Sequence, residues 1–131
     1  MQLMAEAVID ASALLAFLKG EKIALHKLEE ILPKSLISSV NYCEVATILG
    51  GLGMPEEIIE EVVEETVSKI VSFDVPQALL AANLRDLTKP YGLSLGDRAC
   101  LALGLTHKLP VYTADKIWSK INIEIPIELI R

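Results

Sequence analysis

Short apolar runs alternate along this chain with longer segments whose apolar positions recur at helical spacing. AEAVI over 5–9 predicts a strand ending at Asp10, and ASALLAFLKG reads as a helix with Gly20 near its end. EKIALHKLEEIL places Ile23, Leu25, Leu28, Ile31 and Leu32 on a helical face until Pro33 stops it. SLISS predicts a second strand, with Ser39 placed to cap the long helix VNYCEVATILGGLG. GGLGMP breaks the chain, and Pro55 suits the first turn of the next helix, EEIIEEVVEETVSKI. That helix repeats two acids and two apolars, so its glutamates form a solvated face. VSF predicts a third strand ending at Asp74, and VPQALLAANLRDLTK a helix stopped by Pro90 and Gly92. SLGDRACLALGLTHK is a further helix, LPVYTAD a fourth strand, and KIWSK a short helix. The last run, INIEIPIELI, is β-like but contains Pro126, so it should be an edge strand or irregular there.

Strands alternating with helices imply an α/β fold with a parallel sheet covered on both faces. In such sheets ligands bind beyond the carboxyl ends of the strands. Asp10 and Asp115 lie at or just after such ends, and Asp97 lies in the first turn of a helix, so all three point to one rim.

Composition narrows the class. The chain has 131 residues, 52% of them hydrophobic, with no linker or repeat, which fits one domain with a real core. Aromatics are 5%, too few for base stacking to dominate binding. No apolar run reaches the ~18 residues of a membrane span. The start, MQLMAEAVID, carries an acid and no basic region, unlike a signal peptide. Cys43 and Cys100 both sit in apolar helical patterns and read as small buried hydrophobes in a reducing, cytoplasmic setting. No Cys/His pair has zinc-ligand spacing. The net charge of −6 argues against bulk nucleic-acid binding but leaves room for a nuclease with local Arg and Lys.

Four acids then stand out: Asp10, Glu44, Asp97 and Asp115. Each has a structural alternative. Asp10 and Asp115 are placed as N-caps, Ser94 to Asp97 matches a capping box, and Asp74 shares this grammar without any further claim on a site. Glu44 is different. It is the only charged residue between Lys34 and Glu56, and no Lys or Arg in its helix stands at i±3 or i±4. An unpaired carboxylate in an apolar helix is costly unless it faces a polar cavity shared with the other acids. Two carboxylates ~5 Å apart repel by about 3 kcal/mol at an effective dielectric near 20, so a cluster calls for a cation. Oxygen ligands select Mg²⁺ or Mn²⁺, which can activate water against a phosphodiester. Arg98 is placed either to clamp a phosphate or to pair with Asp97. Lys116 beside Asp115 has the same two readings. His26 and His107 read as surface or satisfied histidines, and Trp118 as packing near the rim or part of a partner surface.

VIDASALLAFL, NYCEVATIL, LSLGDRACLALG and VYTAD, in that order over residues 8–115, resemble the four signature blocks of PIN domains, closest to VapC-type toxin ribonucleases of toxin–antitoxin pairs. The resemblance implies a three-layer α/β/α sandwich with a parallel sheet of about five strands, forming a single PIN domain over 1–131. It maps the acidic quartet onto Asp10, Glu44, Asp97 and Asp115, with Ser12 and Thr113 as supporting hydroxyls. It implies Mg²⁺- or Mn²⁺-dependent RNA cleavage, with Asp10, Asp97 and Asp115 as metal ligands, direct or through water. It also implies a homodimer that binds an antitoxin. An RNA-processing nuclease outside a toxin–antitoxin pair and a non-catalytic scaffold are the alternatives within the family. A phosphotransfer enzyme with an aspartyl nucleophile fits poorly, because Asp10-Ala-Ser12 lacks a second acid two residues on.

Overall fold

A computed structural model describes residues 4–131; residues 1–3, the beginning of the stretch judged unlike a signal peptide, lie outside it. Five short strands form one sheet: β1 (Ala7–Ile9), β2 (Ser35–Ser38), β3 (Lys69–Val71), β4 (Val111–Thr113) and β5 (Ile127–Leu129). All pairings are parallel and the order is β3-β2-β1-β4-β5. The chain steps outward from β1 to β3, then returns to place β4 on the other side of β1. The switch point therefore falls between β1 and β4, where an open parallel sheet leaves a crevice at its carboxyl edge.

Among the described residues seven α-helices flank the sheet: α1 (Ala11–Leu18), α2 (Lys22–Leu28), α3 (Ser39–Gly51), α4 (Glu56–Thr66), α5 (Val75–Asn83), α6 (Arg85–Thr88) and α7 (Leu95–His107). Successive strand residues face opposite ways, and this splits the core into two layers. Ile9 and Ile37 join Leu14, Leu28, Val45 and Val63 on one face of the sheet. Val8 and Leu36 join Cys100, Leu101, Val111 and Trp118 on the other. The layering is the α/β/α sandwich expected, and membrane-length apolar helices are absent among the described residues.

Several local expectations change. The cap of α3 is Ser38, whose hydroxyl accepts from the Val40 N–H, while Ser39 is already helical and accepts from the Phe73 N–H. The helix expected over 56–70 ends at Thr66, and the third strand is 69–71 rather than 71–73. Apolar Ile70 and Val71 fit either periodicity, and pairing with β2 decides for the strand. The helix expected over 75–89 breaks into α5, α6 and a 3-10 turn at Lys89–Tyr91. On α2, Ile23 and Leu25 are exposed and Ala24 and Leu28 are buried, so the apolar face is narrower than its spacing implied. KIWSK is a 3-10 helix. Cys43 is exposed, not buried, and both cysteines are free thiols. Trp118 is fully buried, which removes it from any partner surface. The last run is irregular over 121–126, and the edge strand β5 begins only after Pro126, whose carbonyl accepts from the Val111 N–H.

Candidate active site

Asp10 ends β1 and caps α1, its Oδ1 accepting from the Ala13 N–H at 2.8 Å. The cap is only part of its environment. Thr113, at the end of β4, donates its hydroxyl to Asp10 Oδ2 at 2.6 Å across the switch point. Ser12 Oγ lies 2.8 Å from both Asp10 oxygens and shares its single proton between them. Each hydroxyl is also an acceptor: Ser12 receives the Ala114 N–H and Thr113 the Asp115 N–H. Both hydroxyls are thus satisfied as donor and acceptor, which fixes the Asp10 carboxyl in place.

Asp10 is 4% exposed. Burial pushes its pKa up to about 6; the bonds from Thr113, Ala13 and Ser12 pull it down, and the nearby charge of Asp97 pushes it up again. The Cys100 thiol is a second witness to convergence. Burial raises its pKa well above the usual range, and the charges of Asp10, Asp97 and Glu44 raise it further. The charges of three of the four acids are thus felt at one buried thiol of α7.

Asp97 is held by the capping box expected from the sequence: Ser94 Oγ accepts the Asp97 N–H, and Asp97 Oδ2 accepts the Ser94 N–H. Glu44 is half-buried and not unpartnered. Asn41, one helical turn earlier, donates to Glu44 Oε1 at 2.7 Å and to the Gly96 carbonyl at 3.0 Å, tying α3 to the start of α7. The partner at i−3 is neutral, where the charge pattern shows no cation. Gly96 belongs to the same contact. A Cβ on it would meet both Glu44 carboxylate oxygens at 2.7 Å, so the close approach of Glu44 to α7 requires a glycine there. Asp115 is exposed; it caps the 3-10 turn through the Ile117 N–H and joins the others only through its own N–H on Thr113.

Arg98 does not pair with Asp97. Its guanidinium donates to the Ala81 carbonyl at 2.9 Å, and the described ion pairs are Lys34–Glu6, Arg85–Asp86 and Arg131–Glu21. Lys116 likewise forms none with Asp115. His26 and His107 are exposed. Asp74 is the cap its position suggested, accepting from the Gln77 N–H.

The donor set is all oxygen, which suits a hard divalent cation. Among the described residues Glu44 Oε2, Asp97 Oδ1 and Asp115 Oδ2 carry no hydrogen bond. No three described His, Cys, Asp or Glu side chains stand close enough to enclose an ion directly.

The same architecture occurs in solved structures. A toxin–antitoxin complex from Klebsiella pneumoniae has a chain similar at 24% identity and a TM-score of 0.74, covering 89% of this chain and 93% of its own. VapC20 of Mycobacterium tuberculosis, described as a toxin that cleaves the sarcin–ricin loop, gives 15% identity and 0.73 over 92% and 99%. DNA-bound VapBC from Salmonella typhimurium gives 17% and 0.71 over 98% and 100%. At these identities the likeness is one of fold. No curated protein matches the sequence. The sequence itself matches the PIN domain family over residues 7–124, nearly its whole length, and the chain belongs to that family.

Proposed function

We propose that this chain is a Mg²⁺- or Mn²⁺-dependent endoribonuclease, the toxin of a toxin–antitoxin pair acting in the cytoplasm, with 1–131 forming one catalytic domain. The observation that carries this reading is the place of Asp10 at the sheet's switch point, bonded by Ser12 and Thr113, with Glu44 held against Gly96, the neighbour of Asp97. Asp10, Asp97 and Asp115 hold the ion, directly or through water. When bound, the ion lowers the pKa of water and offsets charge developing on the phosphate. Ser12 and Thr113 fix Asp10, and Asn41 holds Glu44, which completes the acidic site as a ligand or by orienting the attacking water. Water is the nucleophile, since the Ser12 and Thr113 hydroxyls are already bonded to Asp10 and to backbone amides. The toxin assignment draws on the signature blocks and on the toxin–antitoxin assemblies of similar fold. Exposed Ile48, Leu52 and Ile58 on and beside α3 and α4 suit burial in a homodimer or under an antitoxin, and light scattering at micromolar concentration tests the dimer.

Asp97→Asn tests the chemistry. Asparagine retains an oxygen for the Ser94 N–H, so the capping box survives and the metal-free fold is at least as stable. Cleavage of single-stranded RNA at matched Mg²⁺ should drop by tenfold or more, a barrier increase of at least about 1.4 kcal/mol. Unchanged cleavage removes Asp97 from the site.

A further inference from the structure

We propose that a cleft beside α7, lined by Arg85, Lys89 and Arg98, binds the phosphate backbone of an RNA strand next to the bond being cut. The inference rests on the ribonuclease reading and adds to it where the substrate lies. With 18 acidic against 12 basic residues, and six glutamates on α4 alone, most of this surface repels a polyanion. An RNA strand needs a local exception. The cleft, of about 350 Å³, is one: it is lined by Arg85, Thr88, Lys89, Gly92, Leu93 and Arg98, with no carboxylate among them. A second cleft of about 330 Å³ shares Arg85 and Arg98 but adds Asp86, so the acid-free opening is the first.

The cations are available. Arg98 is steadied by a backbone carbonyl rather than neutralised by an acid. Arg85 has only Asp86, at 3.7 Å with both side chains mostly exposed, a pairing that water screens strongly. Lys89 forms no ion pair among the described residues. The walls are also built. Thr88 is buried with its hydroxyl on the Leu84 carbonyl, and Gly92, at φ +69°, closes the turn that leads into α7.

Position links the cleft to the acids. Leu93 lies four residues before Asp97, at most about 14 Å along even an extended chain, and Ser94 between them is bonded to Asp97. A strand whose scissile phosphate sits at the acids thus has neighbouring phosphates within reach of the cleft. Two planar guanidinium forks and an ammonium suit phosphate oxygens. The opening has no aromatic side chain in its lining, so it grips backbone and does not read bases.

The test measures binding apart from cleavage. Affinity for a fluorescent single-stranded RNA is followed in EDTA across a salt series, for the wild type, Arg85→Gln/Lys89→Gln and a control, Lys22→Gln/Lys69→Gln. All four positions are exposed, and matching melting temperatures check the folds. The cleft variant should lose about tenfold in affinity, and its log–log salt slope should flatten by about 1.4, roughly 0.7 for each single-strand phosphate it no longer neutralises. The control should track the wild type. The cleft assignment is overturned by any of three results: equal losses in both variants, no RNA binding by the wild type, or polyglutamate displacing the RNA at equal charge concentration, which would mark an acidic polypeptide as the occupant. Cleft-dependent binding without cleavage in Mg²⁺ or Mn²⁺ would instead leave the cleft standing and remove the ribonuclease reading.

Discussion

Two side chains show how much of the site depends on single atoms. Asp10 pays for its burial with a pKa near 6, against 3.8 for an ordinary aspartate. Because the folded value is raised, the carboxyl favours folding below about pH 4, and this advantage is lost as pH rises to about 6 and the buried group ionises. The full cost, about 3 kcal/mol for a shift of that size, applies above pH 6 in the metal-free protein. Asp10→Asn should therefore be more stable than wild type in EDTA at pH 7.5, by up to that amount, and lose the gain at pH 4. Urea unfolding at both pH values measures the difference, and an equal difference at each would refute the assignment. Gly96 is the second case. In Gly96→Ala the new methyl displaces the flexible end of Glu44 rather than backbone, and alanine favours the helix by up to about 1 kcal/mol. The melting temperature should hold or rise while RNA cleavage falls about tenfold or more. A variant with unimpaired cleavage would show that the placement of Glu44 is immaterial.

At the scale of elements, caps and sites share one grammar. Asp10, Asp74, Asp97 and Asp115 all precede or open a helical segment, and each accepts a backbone N–H there. Local sequence reveals the cap but not which cap faces the crevice, because that depends on where each strand lies in the sheet. Asp74 follows outer strand β3, whereas Asp10 follows β1 at the switch point. Asp74→Ala should accordingly cost about 1 kcal/mol of stability, as a lost N-cap does, and leave RNA cleavage unchanged. A parallel loss of cleavage, with fold intact, would place it in the site. The same limit explains the misplaced boundaries. Val67 to Val71 continue the apolar spacing of α4, and only pairing with β2 turns 69–71 into a strand. Asn41 is not legible in the sequence because an uncharged i−3 partner leaves no mark in the charge pattern, nor is Gly96, because its need arises from α3, 52 residues before it in the case of Glu44 (96 − 44).

For the whole molecule, the fold brings together residues that the chain keeps apart. Placing β4 beside β1 sets Thr113 against Asp10, 103 positions apart, and packing α3 against α7 brings Glu44 over Gly96. The alternation of strands and helices makes that layout legible in the sequence, but the closeness of Glu44 to α7 leaves no such trace there. The assembly concentrates negative charge in a protein already at −6, so a bound divalent ion should stabilise the native state specifically. At a hundredfold excess over its dissociation constant an ion that ignores the unfolded chain adds about 2.7 kcal/mol, a rise of several degrees in melting temperature. General screening of surface charge would also raise the melting temperature, so KCl at matched ionic strength is the control. The ion-specific rise should grow as pH increases through 6, where Asp10 ionises, and should shrink in both Asp10→Asn and Asp97→Asn. A rise reproduced by KCl, or one untouched by both substitutions, would mean that the acids gather at the switch point without holding an ion.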